Sequence, residues 1–126
     1  MESLFIKGTQ ETPEVKFDYE SGKFSITGRS YNGDTPEFYK PINIWLDEYL
    51  TCANKRTVLE VNVDYFHSVS VKFLTNLIKK LATLNQMKKT FEIVWFHEDD
   101  DDENRDLGKS IELESKVKFE YIAIVE

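Results

Sequence analysis

The spacing of apolar positions along the chain changes several times. Near the N-terminus it is short. "SLFI" is followed by "EVKFDY" and "KFSITG", two stretches with a period of two separated by "ESG". Such alternation predicts strands, and Gly22 in the connection predicts a hairpin with positive φ at that residue. The period then lengthens. In "TPEFYKPINIWLDEYLTC", Phe38, Ile42, Trp45, Leu46, Tyr49 and Leu50 recur at the spacing of one helical face. Thr35 is the candidate N-cap, and Pro36 suits the first helical position, where a missing N–H costs nothing. Pro41, deeper in, predicts a kink or a late helix start. "RTVLEVNVDYF" reads as a strand. "SVKFLTNLIKKLATLNQ" reads as a helix with Phe73, Leu74, Leu77, Ile78 and Leu81 on one face, and "TFEIVWF" as a further strand. "HEDDDDENRDLGKSIELES" predicts an acidic loop leading into a weaker helix, because Gly108 costs about 1 kcal/mol against Ala. "KFEYIAIV" closes the chain as a strand.

A hairpin followed by strands alternating with helices predicts an α/β fold whose crossovers create parallel pairs. A parallel strand covered on both faces is apolar throughout. Here Glu60 and Asn62 alternate with Leu59, Val61 and Val63, Glu92 with Phe91 and Ile93, and Lys118 and Glu120 with Phe119 and Tyr121. One face of the sheet is therefore partly open, and the helices belong mainly on the other. This mixed sheet, with its N-terminal hairpin, resembles the anti-sigma-factor-antagonist layout and predicts one STAS-like domain over residues 1–126.

Composition narrows the partners. With 40% hydrophobic residues in a chain of 126, there is material for one core. The net charge of −7 argues against nucleic acid, which needs a basic stripe, and against an anionic membrane surface. No apolar run is long enough to span a bilayer, and "MESLFIKGTQ" has no signal-peptide pattern. Cys52 is the sole cysteine, so no internal disulfide forms. The expectation is a cytoplasmic, bacterial-type protein with a reduced thiol and no cofactor.

Enzyme motifs are missing: no G-x-G-x-x-G, P-loop or G-x-S-x-G pattern occurs. His67 and Ser68 are adjacent, whereas catalytic Ser–His pairs come from distant segments. The acidic run Glu98 to Glu103 fails as a calcium loop, since counting from Asp99 puts Asn104 where the loop needs Gly and Ser110 where it needs Glu. It reads as a solvated loop whose acids favour the next helix N-terminus, with a partner-facing surface as the alternative. No metal site is expected. That leaves "DYFHSVSVKFL", a strand-to-helix junction with two hydroxyls and no glycine. Ser68 or Ser70 can serve as the N-cap of the helix. A hydroxyl there can also carry phosphate without breaking the helix, because free N–H groups and the macrodipole favour an anion.

The blocks "TPEVKFDYESGKFSITGRSY", "EFYKPINIWLDEYL", "TVLEVNVDYFHSVSVKFL" and "FEIVWFHEDDD" together resemble the SiaC family of regulatory phosphoproteins, in order and spacing over nearly the whole chain. The resemblance implies a STAS-like, non-enzymatic partner-switching protein. A serine/threonine kinase phosphorylates it and a PP2C-type phosphatase reverses this. The unphosphorylated form binds and activates a diguanylate cyclase, raising cyclic di-GMP and promoting biofilm behaviour. The family's phosphorylated residue lies in a block like "YFNTSS" and maps onto Ser68 in "YFHSVS". Here Ser68 replaces the usual Thr, His67 an Asn, and Val69 a Ser, so Ser70 stays open as the alternative acceptor. Ser68 as both acceptor and helix cap is the leading expectation. Tyr65, Phe66, His67, Val69, Ser70 and Lys72 are the candidate partner-binding residues. The rival readings are an anti-sigma-factor antagonist acting on transcription through the same switch, and a small-ligand or nucleotide-binding domain.

Overall fold

A computed structural model describes residues 1–31 and 35–125, apart from the side chain of Thr35. The strands are β1 (Leu4–Ile6), β2 (Glu14–Phe17), β3 (Lys23–Ser30), β4 (Arg56–Phe66), β5 (Thr90–Glu98) and β6 (Phe119–Ile124). The helices are α1 (Thr35–Tyr49), α2 (Ser68–Ala82) and α3 (Asp102–Ser115), with a short 3-10 helix (Thr83–Met87) after α2. The sheet order follows the chain, β1-β2-β3-β4-β5-β6. The first three strands pair antiparallel, and β3 to β6 pair parallel. Successive right-handed crossovers that always step in one direction leave α1, α2 and α3 on one face. α2 lies between its neighbours and packs against both.

The strand burial confirms this one-sided cover. Along β4, Thr57, Leu59, Val61 and Val63 are buried under the helices, whereas Val58, Glu60 and Asn62 stay half-buried on the open face. This mixed α/β layout is the one that the alternation of polar and apolar positions predicts, and it is compatible with a STAS-like architecture. The β2–β3 hairpin also forms as expected. Gly22 has φ of 74°, and a Cβ there would collide with the carbonyl of Arg56, so glycine answers both the turn and the neighbouring strand. The loop 32–34 and the Thr35 cap lie outside the described residues.

α1 runs from Thr35 without a late start, with Pro41 on its exposed side. It buries Tyr39, Ile42, Leu46 and Tyr49, and Trp45 stacks on Tyr49 at 5.2 Å. α3 runs unbroken through its glycine. The space at Gly108 is filled by Trp95, whose ring would lie only 2.8 Å from an added Cβ. The propensity lost at Gly108 therefore permits close helix–sheet contact. The acidic run is only partly a loop: Asp102 and Glu103 form the first turn of α3, and Asp101 caps it by accepting the Asn104 N–H at 3.0 Å.

Candidate functional site: the turn between β4 and α2

A shift in register shapes the end of β4. Gly28 pairs with Val63, but the next residue, Arg29, pairs with Tyr65, so Asp64 is one residue too many for the ladder. A bulge of this kind re-aims the side chains that follow it. Phe66 stacks on Trp95 at 5.8 Å, on the helix side. Tyr65 instead stacks on Tyr31 at 4.7 Å, and both rings remain exposed. The chain then turns, anchored by the His67 N–H donating to the Ser30 carbonyl at 2.7 Å.

His67, not Ser68, is the N-cap of α2. Its backbone is extended, with φ −66° and ψ 147°, and Nδ1 accepts the Val69 N–H at 3.3 Å. The ring nitrogen does the work of an Asn or Ser oxygen, because Nδ1 sits at a similar reach from the backbone. This corrects the expectation that Ser68 caps the helix. Ser68 is the first helical residue, and it is exposed. The same hydrogen bond engages Nδ1 of His67 with the helix backbone.

The two serines occupy opposite environments. Ser70 is completely buried and accepts a hydrogen bond from the Ser30 hydroxyl at 2.6 Å. It ties α2 to β3 and is closed to a docking protein in this conformation. Ser70, the alternative acceptor and a candidate contact residue, is thus buried where Ser68 is exposed. Around Ser68, Tyr65 and Val69 are exposed at 47% and 43%, Lys72 is exposed, and His67 and Phe66 are half-buried. Tyr31 belongs to the same surface but was not legible from the local sequence. It arrives from the end of β3, through pairing that only the register reveals.

Charge differs across the turn. The first turn of α2 contains no acid. On the other side of Tyr65, Asp64, Asp101, Glu103 and Asn104 line a cleft of about 180 Å³ with Phe66 and Leu107. Among the described residues no group of three or more His, Cys, Asp or Glu could hold a metal ion. Nor is any helix of the described residues long and apolar enough to cross a membrane. His97 is buried at the end of β5, its Nδ1 2.8 Å from the Glu98 carbonyl oxygen. Below the turn, Tyr39 of α1 stacks on Phe73 of α2 at 5.3 Å, and burial pushes its hydroxyl pKa well up.

A family model described as SiaC family regulatory phosphoprotein matches residues 6–124. A Pseudomonas aeruginosa protein (strain UCBPP-PA14), PA14_02130, is 24% identical over 98 residues, 78% of each chain. Apo-SiaC from Pseudomonas aeruginosa superposes with a TM-score of 0.86 at 23% identity, covering 98% of this chain and 100% of that one. A chain in the crystal structure of the diguanylate cyclase SiaD in complex with its activator SiaC, from the same species, gives 0.87 at 21% identity, with 96% and 99% covered. At these identities the structural likeness establishes the fold.

Proposed function

The chain belongs to the SiaC family of regulatory phosphoproteins, and from that premise we propose that it is a non-enzymatic switch whose phosphoacceptor is Ser68. The observation that carries the reading is the contrast between the serines of the turn: Ser68 is exposed at the start of α2, whereas Ser70 is fully buried against Ser30. The Ser68 hydroxyl attacks the γ-phosphate of ATP in a kinase active site. A phosphoester bond forms, ADP leaves, and the hydroxyl proton passes to the kinase's base. A PP2C-type phosphatase restores the hydroxyl by hydrolysis, releasing inorganic phosphate.

The modification adds roughly −1.5 to −2 charges to a helix start that carries no acid, without disturbing the core. The unmodified surface of Tyr65, Phe66, His67, Val69 and Lys72, extended by Tyr31, binds and activates a diguanylate cyclase in the cytoplasm. The partner is supported by the SiaC–SiaD complex among the structural relatives.

Incubation with the cognate kinase and ATP, followed by phosphopeptide mass spectrometry, tests the acceptor. Phosphate is expected on Ser68 in the wild type and in Ser70→Ala, and none in Ser68→Ala. Phosphate on Ser70 alone, or nowhere, overturns the assignment. Cyclic di-GMP synthesis by the purified cyclase should rise with the unmodified protein and fall back with the phosphorylated one.

A further inference from the structure

Three lysines of α2 are in different situations. Lys79 pairs with Glu114 at 3.9 Å and Lys80 with Asp47 at 2.7 Å. Lys72 is exposed, and among the described residues no hydrogen bond or ion pair engages it. It stands one turn after Ser68 on the same helix, also exposed. Residues four apart lie on one face, and an anion four positions before a cation is the favourable order along a helix.

We infer that Lys72 is the internal counter-ion of phosphoserine 68. The inference rests on Ser68 being the modified residue, and it deepens that reading by assigning the phosphate a partner within the same chain. Two attractions then converge on the phosphate: the ammonium of Lys72, and a helix N-terminus that the chain's own acids leave unmet. Neither needs a backbone change. In the unmodified protein Lys72 is free to meet a carboxylate of a docked partner. After phosphorylation it is engaged from within. One modification thus changes the docking surface twice, adding a dianion beside Val69 and withdrawing a cation one turn away.

The test is a 31P NMR pH titration of the full chain carrying phosphoserine at position 68, introduced by genetically encoded incorporation. Wild type, Lys72→Met and Lys72→Arg are compared. A nearby cation favours the dianionic phosphate, so its second pKa should be lower in wild type and Lys72→Arg than in Lys72→Met, by about half a pH unit. The titratable groups placed beside the turn (Arg29, Tyr31, Asp64, Tyr65, His67, Asp101 and Glu103) are identical in all three proteins, so the difference isolates Lys72. Equal midpoints in the three proteins, or a Lys72→Arg midpoint that follows Lys72→Met, would overturn the inference. Because the phosphate is installed without a kinase, the outcome is separate from whether the kinase selects Ser68.

Discussion

α2 and α3 begin alike and are finished differently. Each follows a parallel strand and starts at the same edge of the sheet, where backbone N–H groups and the helix dipole present positive charge. α3 is provided for by its own sequence: Asp101 caps it, and Asp102 and Glu103 fill its first turn. α2 is capped by an imidazole nitrogen and has no acid in its first turn. An acidic chain that could have placed a carboxylate at either start placed three at one and none at the other. The N-terminus of α3 is an electrostatically completed structural joint. That of α2 carries no acid beside its exposed hydroxyl, which fits the modification proposed at Ser68.

The largest expected effect belongs to the structural joint. Trp95 is fully buried, stacks between Phe66 and Phe119, and donates from Nε1 to the Asn104 carbonyl at 3.1 Å, holding the first turn of α3. Trp95→Ala should cost about 3–5 kcal/mol of stability in urea denaturation. Gly108→Ala should cost less, about 1–3 kcal/mol from overpacking against the same ring, although alanine is the better helix former. A neutral Gly108→Ala would show that α3 can shift off Trp95 and is less firmly seated than its packing implies.

Next comes the buried half of the turn between β4 and α2. Ser70→Ala leaves the Ser30 hydroxyl without its acceptor inside the protein and should cost about 1–3 kcal/mol. Ser68→Ala, on the surface, should stay within about 0.5 kcal/mol of wild type. The double variant Ser30→Ala with Ser70→Ala removes both partners and should recover part of the loss, a coupling that a double-mutant cycle measures. Equal costs for Ser68→Ala and Ser70→Ala would dissolve the division of labour between the two serines.

How much of this was readable in advance follows from the range of each interaction. Periodicity located the strands and helices because burial of one face is written locally. The alternation of Glu60 and Asn62 with Leu59, Val61 and Val63 even revealed the open side of the sheet. Capping is also local, yet the residue types point to Ser68 or Ser70, because hydroxyl caps are common and imidazole caps are not. The burial of Ser70 depends on Ser30, forty positions away. The exposure of the Tyr31–Tyr65 pair depends on a one-residue register shift at Asp64. Neither leaves a trace in the eleven residues of the turn. Propensity alone marks Gly108 as a weak point of α3, and the close contact it permits with Trp95 is not visible locally.

A cap comparison follows in size. Asp101→Ala should destabilise the protein by about 1 kcal/mol, because the Asn104 N–H loses its acceptor. His67→Ala removes a longer bond, 3.3 Å to the Val69 N–H, and should cost less, whereas His67→Asn should restore or exceed wild-type stability. Thermal melts of the three variants rank the caps directly. A greater loss for His67→Ala than for Asp101→Ala would mean that the imidazole supports the turn by packing rather than as a hydrogen-bond acceptor.

The smallest effects test the electrostatic contrast itself. At α3, Asp102→Asn removes a charge from a completed helix start and weakens a 3.5 Å pair between exposed Asp102 and half-buried Arg105. Stability should fall by about 0.3–1 kcal/mol at low ionic strength. At α2, Ser68→Asp adds a charge where none stands, and stability should rise by a similar amount, about 0.3–1 kcal/mol. Both changes should shrink in high salt, because exposed charges are screened over about 10 Å at 0.1 M. Urea denaturation at two salt concentrations measures them, since urea leaves ionic strength unchanged. If Ser68→Asp destabilised the fold, the α2 start would already be electrostatically satisfied, and it would have no more vacancy for a phosphate than the start of α3.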